Sequence, residues 1–270
     1  MALAIATNNG ALQAAAAASS VNRSMETSME RLSTGMRINS ASDDAAGVAI
    51  SSRLSAEIRG TNQSIRNALD GQSLIDTAEG AHKEVENLLQ RMRELAIQAA
   101  NGTNDADDIT NLEAEFTALS TEITRIGEVT SFAGKALTGT DATAFSFQVG
   151  SGTATANQIS VTINSIKSAS IGTDSGTQFS AVVTAGLDDL TETNAAIVVI
   201  DDAIKEVNTQ RSELGAVSNR LNHTVNNLTN ISSNLSSAQG RIQDADFALE
   251  TTKLAKNQIL QQASTAMLAQ

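Results

Sequence analysis

Cysteine, proline, tryptophan and tyrosine are all missing from this chain of 270 residues. At average usage a chain of this length carries about 13 prolines, so the absences are compositional features in their own right. Without cysteine there are no disulfides, thiolate metal sites, thiol redox steps or cysteine nucleophile, and the redox compartment stays open. Aromatic residues amount to 2%, all phenylalanine, whereas AVILMFWYC residues make up 41%. The apolar surface is therefore Ala, Leu, Ile, Val and Met, which suits interdigitating helices better than β-sandwiches. Basic residues are also scarce, 18 against 30 acidic ones for a net charge of −12. That balance repels nucleic acid and anionic lipid, and no local basic patch reverses it. Half of the net charge falls on residues 101–130, which hold one Arg against seven acids and read as a solvated acidic face.

What is present is periodic. From Ile200 a step of seven gives Val207, Leu214, Leu221, Leu228, Leu235 and Ile242. A partner series begins at Ile197 and Ile204, with polar Arg211 and Ser218 on the seam, and the pattern predicts a coiled-coil helix over 187–242. Its 56 residues would span about 84 Å at 1.5 Å each, too long for a globule of this size, whose radius of gyration is near 18 Å, so an elongated molecule is expected. A second helix is predicted over 44–100, with Leu54, Ile58, Ile65, Leu69, Ile75, Val85, Leu89, Met92 and Leu95 at helical spacing. Asn101-Gly102-Thr103-Asn104 then gives a stop and turn signal. A third helix over 105–128 shows Ile109, Leu112, Phe116, Leu119, Ile123 and Ile126, and should pack back along the second. Between 132 and 185 the period falls to two: Phe145, Phe147 and Val149, then Ile159, Val161 and Ile163, predict a β-hairpin, with a further strand at Phe179 to Thr184.

The chemistry of catalysis finds no foothold. His82 and His223 stand alone on helical patterns, as surface or seam histidines. The acid pairs Asp43-Asp44, Asp107-Asp108, Asp188-Asp189 and Asp201-Asp202 are sequence neighbours whose side chains diverge on a helix, so helix starts and solvated faces account for them. Asp174-Ser175-Gly176 matches an aspartic-protease tripeptide without the frame that chemistry needs, and reads as a turn. No enzyme activity, cofactor or metal is expected. Met25, Met29, Met36, Met92 and Met267 fall in apolar helical stripes, where filling a core or subunit seam is the default.

The chain ends are the informative oddity. Met1 to Asn22 carry no charge, yet Thr7, Asn8, Asn9, Gly10 and Gln13 break the stretch, which is neither a signal peptide nor a membrane span. Leu3, Ile5 and Leu12 at one end and Leu254, Ile259, Leu260, Met267 and Leu268 at the other form sparse apolar stripes. Such stripes are too weak to fold alone, and the ends are either frayed tails or segments that become helical on meeting a partner.

Read together, several motifs resemble bacterial flagellin. They are Glu30-Arg31-Leu32-Ser33-Thr34-Gly35-Met36-Arg37-Ile38-Asn39-Ser40-Ala41 running into Asp43-Asp44-Ala45-Ala46-Gly47, then Thr77-Ala78-Glu79-Gly80 and Leu89-Gln90-Arg91-Met92-Arg93-Glu94-Leu95-Ala96. Near the end come Leu214-Gly215-Ala216, Asn219-Arg220-Leu221, Arg241-Ile242-Gln243-Asp244-Ala245-Asp246 and Gln258-Ile259-Leu260. The resemblance covers about 1–135 and 187–270 and lacks the variable outer domains. It implies a mainly α protein: an antiparallel helical coiled-coil rod with a small β-hairpin region. Residues 1–43 plus 243–270 would form an inner coiled-coil domain and 44–242 an outer rod domain.

By the same resemblance the chain is a structural subunit of the extracellular flagellar filament used for swimming, exported unfolded by the flagellar type III system. A hook–filament junction protein or a soluble coiled-coil adaptor is the alternative. The partners implied are further copies of itself, an export chaperone on about 244–270, hook-associated junction and cap proteins, and the vertebrate Toll-like receptor for flagellin. Neither nucleic acid nor membrane insertion is implied. Gln90, Arg91, Leu95, Gln98 and Glu115 match the receptor-active pattern and equally suit a subunit contact. Departures from the family pattern are Ala133 where Asn is common before Gly134, Ser42 where Lys is common, and a chain that stops several helical turns early. Exposed Ser and Thr in 138–184 are candidate O-glycan sites.

Overall fold

A computed structural model describes residues 9–139, 143–172 and 178–269, with side chains described as far as 266 in the last segment. In chain order the elements are α1 (Asn9–Thr34), α2 (Ala45–Ala99), α3 (Ala106–Val129), β1 (Ser131–Phe132), β2 (Lys135–Ala136), β3 (Thr143–Gln148), β4 (Gln158–Ile163), α4 (Phe179–Ala185), α5 (Leu190–Gln243) and α6 (Phe247–Ala269). The three helices expected from periodicity are α2, α3 and α5, each within a few residues of its expected bounds. Asp174-Ser175-Gly176, Leu3 and Ile5 lie outside the described residues, as do the side chains of Met267 and Leu268. No helix among the described residues is long and apolar enough to cross a membrane.

Two compact units divide the chain, 1–59 with 230–270 and 60–229. The divisions fall inside α2 and α5.

In the first unit the terminal helices pair. Ala14 and Ala18, one turn apart and half-buried, give little bulk to hold backbones apart, and α1 and α6 approach closely. These are long helices of 26 and 23 residues rather than short extensions. Their antiparallel register is set by Gln261 donating to Asn22 (2.8 Å) and by Ser28 donating to Glu250 (3.2 Å).

Between α1 and α2 the chain runs beside the α5–α6 connection. Gly35 turns out of α1 at φ 72°, and Met36 bridges Asp244. The Arg37 amide donates to the Gln243 carbonyl (2.6 Å), and the Ala245 amide to that of Gly35 (2.9 Å). Of the neighbouring acids Asp44 serves a helix start, as the spacing suggested, and Asp43 ties the turn before it. The Asp43 carboxylate accepts from the Asn39 and Ser40 amides, which hold its pKa below the ordinary carboxylate value. Asp44 accepts from the Gly47 amide at the start of α2 (2.9 Å), and Asp246 caps α6 through the Ala248 and Leu249 amides.

The second unit has the larger core. One cluster joins α2, α3, α4 and α5 around Leu89, Met92, Phe116, Ile123, Phe179 and Ile200. The other seats β3 and β4 on α2 and α5 through Ile75, Ile159, Val161, Ile163, Leu214 and Leu221. The heptad series is buried from Ile200 through Val207, Leu214, Leu221 and Leu228, as a seven-residue step on one helical face requires, whereas Leu235 and Ile242 are half-buried.

β3 and β4 pair antiparallel with Phe145 opposite Val161 and Phe147 opposite Ile159, the register that puts both apolar series on one face. Gly71 on α2 makes room for the Phe147 ring, because a Cβ there would lie 3.1 Å from it. Gln210 ties the free edge of β4 to α5, donating to the Thr162 carbonyl (3.1 Å) and accepting from the Asn164 amide (3.3 Å).

Several expectations are corrected. Phe179 to Thr184 is not a strand but most of α4, because a short helix carries both Phe179 and Val182 into the core at a spacing of three. Pairing in the β region ends at Ile163 rather than near 185. A further small hairpin, β1–β2, turns on Ala133 and Gly134, both with positive φ (49° and 79°). Leu69 points outward, 46% exposed, and Met29 is likewise exposed rather than buried in a seam.

Candidate functional site

In the α1–α6 pair Ser28 and Glu250 are buried and Asn22 and Gln261 half-buried, whereas several large apolar side chains lie open. Glu250 is buried and accepts from Ser28, from Arg31 (3.4 Å) and from Lys253 (2.9 Å). Burial alone would raise its pKa, but the bonds from Lys253, Ser28 and Arg31 outweigh it and hold the carboxyl below its ordinary value. Phe247 (57% exposed), Leu249, Ile259 (66%) and Leu260 on α6 lie open, as do Leu12 and Met29 on α1. Leu254 is half-buried. Six large apolar side chains are thus uncovered on these two helices.

In the second unit the residues matched to the receptor-active pattern gather on α2 and α3. Arg91 donates through Nε to Glu115 on α3 (2.9 Å) and through Nη1 to Glu94 (3.0 Å). The bonds to Glu115 and then Glu94 raise the Arg91 pKa, keeping the guanidinium charged. Gln90 and Gln98 are exposed, Gln90 donating to Glu86 (3.3 Å). Leu95 is the exception: at 1% exposed it belongs to the α2–α3–α5 core and cannot touch a partner directly. It lies one helical turn beyond Arg91, where α3 and α5 close over α2 and bury it. The exposed face thus consists of Gln90, Arg91, Gln98 and Glu115, with Leu95 fixing the helix beneath.

The sequence singled out Arg211 as a polar interruption of the α5 seam but not the layer it completes. Its guanidinium binds Glu79 (3.7 Å) and Glu86 on α2, residues three before and four after His82. The His82 ring therefore lies beneath it, fully buried, with Nδ1 2.7 Å from the Ala78 carbonyl and Nε2 without a partner. Polar residues on a seam at positions that face each other were the available signal. His223, by contrast, is exposed. Among the described residues no cluster of three or more His, Cys, Asp or Glu could hold a metal ion.

Comparison with known proteins agrees with this architecture. The model of the bacterial flagellin N-terminal helical region matches residues 5–142, and that of the C-terminal helical region matches 197–270. Flagellin of Halalkalibacterium halodurans is 45% identical over 90% of this chain and 86% of its own length. Flagellin of Bacillus subtilis is 43% identical over 93% of this chain and 90% of its own. A solved structure described as a flagellar hook-associated protein from Vibrio parahaemolyticus is similar in fold, with a TM-score of 0.65 at 16% identity, covering 75% of this chain and all of that one. With both terminal helical regions matched and close relatives spanning nearly the whole length, this chain belongs to the bacterial flagellin family.

Proposed function

We propose that the exposed apolar face of the α1–α6 pair is the surface through which this flagellin joins its neighbours in the filament. Flagellins are structural subunits of the extracellular flagellar filament, and this chain is such a subunit. The observation that carries the proposal is the inversion within that pair. Polar groups fix the register of the intramolecular contact, while Leu12, Phe247, Ile259 and Leu260 remain uncovered. Repetition of one heterologous contact of this kind produces an open helical polymer rather than a closed ring. Burying the remaining half or so of each of these side chains between copies contributes about 1 kcal/mol apiece, and a handful of them together hold a subunit in place. The role is structural, and no catalytic step is assigned to any residue.

Seeded growth tests the proposal. Short filament fragments in ammonium sulfate, an excluded salt that strengthens apolar association, should be extended by the purified chain. Ile259→Ser and Phe247→Ser, which leave the buried polar contacts of α1 and α6 in place, should remain helical yet fail to extend the seeds. Growth of either variant at the parental rate would overturn the assignment. Discrete small oligomers of the parent would instead favour a junction or adaptor role.

The exposed apolar residues of 244–270 also suit a chaperone that covers them before export, since a groove receiving this face would do what a neighbouring subunit does later. On α2 and α3 we assign Gln90, Arg91, Gln98 and Glu115 to a second contact surface, open to another subunit or to the vertebrate Toll-like receptor for flagellin. Arg91→Ala should weaken receptor activation with helix content unchanged, whereas an unaffected reporter response would remove the receptor from this surface.

A further inference from the structure

The turn between α2 and α3 contains a reactive sequence, and the structure separates its two asparagines. α2 ends at Ala99 and α3 begins at Ala106. Between them the Asn101 amide donates to the Gln98 carbonyl (3.1 Å), and the Asn104 amide donates to the Asn101 carbonyl (3.2 Å). These bonds close the turn and leave the Gly102 amide between them outside it. Asn101 and Gly102 are both exposed, and a Cβ built on Gly102 would meet nothing within 4 Å, so its nitrogen is uncrowded.

Asn104 is placed differently. Its Nδ2 donates to the Gln98 carbonyl (2.7 Å), and the amide that follows it, on Asp105, donates to Asp108 within the capping box of α3. Its side chain is thus held, its following nitrogen is engaged, and the next residue carries a side chain. All three conditions are reversed at Asn101.

We propose that Asn101 is a site of spontaneous covalent modification, in which the side-chain amide is converted to a carboxylate. The Gly102 nitrogen, losing its proton to hydroxide or buffer base, attacks Cγ of Asn101. The N–Cγ bond forms, the Cγ–Nδ2 bond breaks, and the nitrogen leaves as ammonia, giving a five-membered succinimide. Water then adds to one of the two ring carbonyls. Opening at Cγ gives aspartate, and opening at the main-chain carbonyl gives isoaspartate, with the chain routed through Cβ. The net change is one water consumed and one ammonia released, with no oxidant or reductant.

The product adds a negative charge just past the C-terminus of α2, where the helix dipole disfavours it, and beside Asp105, Asp107 and Asp108. The isoaspartate form also lengthens the turn by one main-chain carbon. Extracellular subunits are beyond the reach of cytoplasmic turnover, so the change accumulates with age and marks older subunits at the exposed end of α2.

The test is to hold the purified full-length chain in mildly alkaline buffer and follow each asparagine by peptide mapping and mass. Conversion raises the peptide mass by about one dalton and splits it into two chromatographic forms, aspartate and isoaspartate. Asn101 should convert several-fold faster than Asn104. The variant Gly102→Ala needs no positive φ and meets no neighbour, so it should keep the parental helix content and slow Asn101 to the rate of Asn104. Equal rates at Asn101 and Asn104 in the parent would overturn the proposal, as would an unchanged Asn101 rate in a folded Gly102→Ala chain.

Discussion

Replacing His82 with leucine should stabilise this protein, and by more at low pH than at high. A carbonyl only accepts, so the contact with Ala78 O places the proton on Nδ1 and leaves Nε2 as a buried lone pair without a donor. An unsatisfied buried group costs about 1–3 kcal/mol, against about 0.5–1.5 kcal/mol gained from the Nδ1 hydrogen bond. Leucine gives up the second and removes the first, for a net gain of about 1 kcal/mol at pH 8.

Acid adds to this. Burial first, and the Arg211 charge with it, push the His82 pKa below its ordinary value of 6.5, outweighing the Ala78 hydrogen bond and the Glu79 charge. Below pH 6.5 the unfolded chain therefore takes up a proton that the folded chain refuses. Stability is lost as the pH falls from there towards the lowered folded pKa, at up to about 1.4 kcal/mol per pH unit. His82→Leu abolishes this component while leaving every carboxylate in place. With neither Trp nor Tyr in the chain, the probe is helix content by circular dichroism in urea titrations from pH 8 to pH 5. The gap between variant and parent should widen as the pH falls. Parallel loss of stability in the two proteins would refute the assignment of a buried neutral imidazole.

The other predictions concern separate elements. Glu250→Gln should loosen α1 against α6 by about 1–3 kcal/mol at neutral pH, read as faster hydrogen exchange in α1. Because the folded carboxyl lies below its ordinary 4.5, its contribution is present above that pH and disappears as the pH falls through the lowered value, where variant and parent should converge. Leu214→Ala, at a fully buried heptad position, should cost about 2–5 kcal/mol in urea unfolding, and a loss under 1 kcal/mol would show the seam to be loosely packed there. Ala133→Asn should stabilise the β1–β2 turn by about 0.5–1 kcal/mol, since left-handed backbone costs alanine about 1–2 kcal/mol and asparagine less, and a lower melting temperature would contradict the turn geometry.

The long helices were legible because their signals are redundant. Five successive heptad positions on α5 carry bulky aliphatic side chains, and no alternative conformation buries them all. The β3–β4 register was legible for the same reason at a period of two. Short segments lack this redundancy: six residues around Val182 satisfy a strand or a helix equally, and only the core they join decides. Leu95 shows a second limit. A motif match brings a residue to the right helix but not to the right side of it, and its burial depends on α3 and α5 arriving from elsewhere in the sequence. The Gln210 contact with β4 was illegible for a related reason, since a glutamine on a helix looks solvated until a strand edge lies beside it.

The pairing of α1 with α6 also has a consequence in time. Ser28 finds Glu250 across 222 residues, and Asn22 finds Gln261 across 239. Whichever end of the chain leaves a narrow channel first must wait for nearly all of the remainder before its helical partner emerges. Closing so long a loop costs several kcal/mol of chain entropy, so this pair cannot lead folding. The apolar face that would stick to other copies is thus completed last, after the intervening helices have had their chance to condense, and an emerging chain is kept from joining its neighbours halfway out.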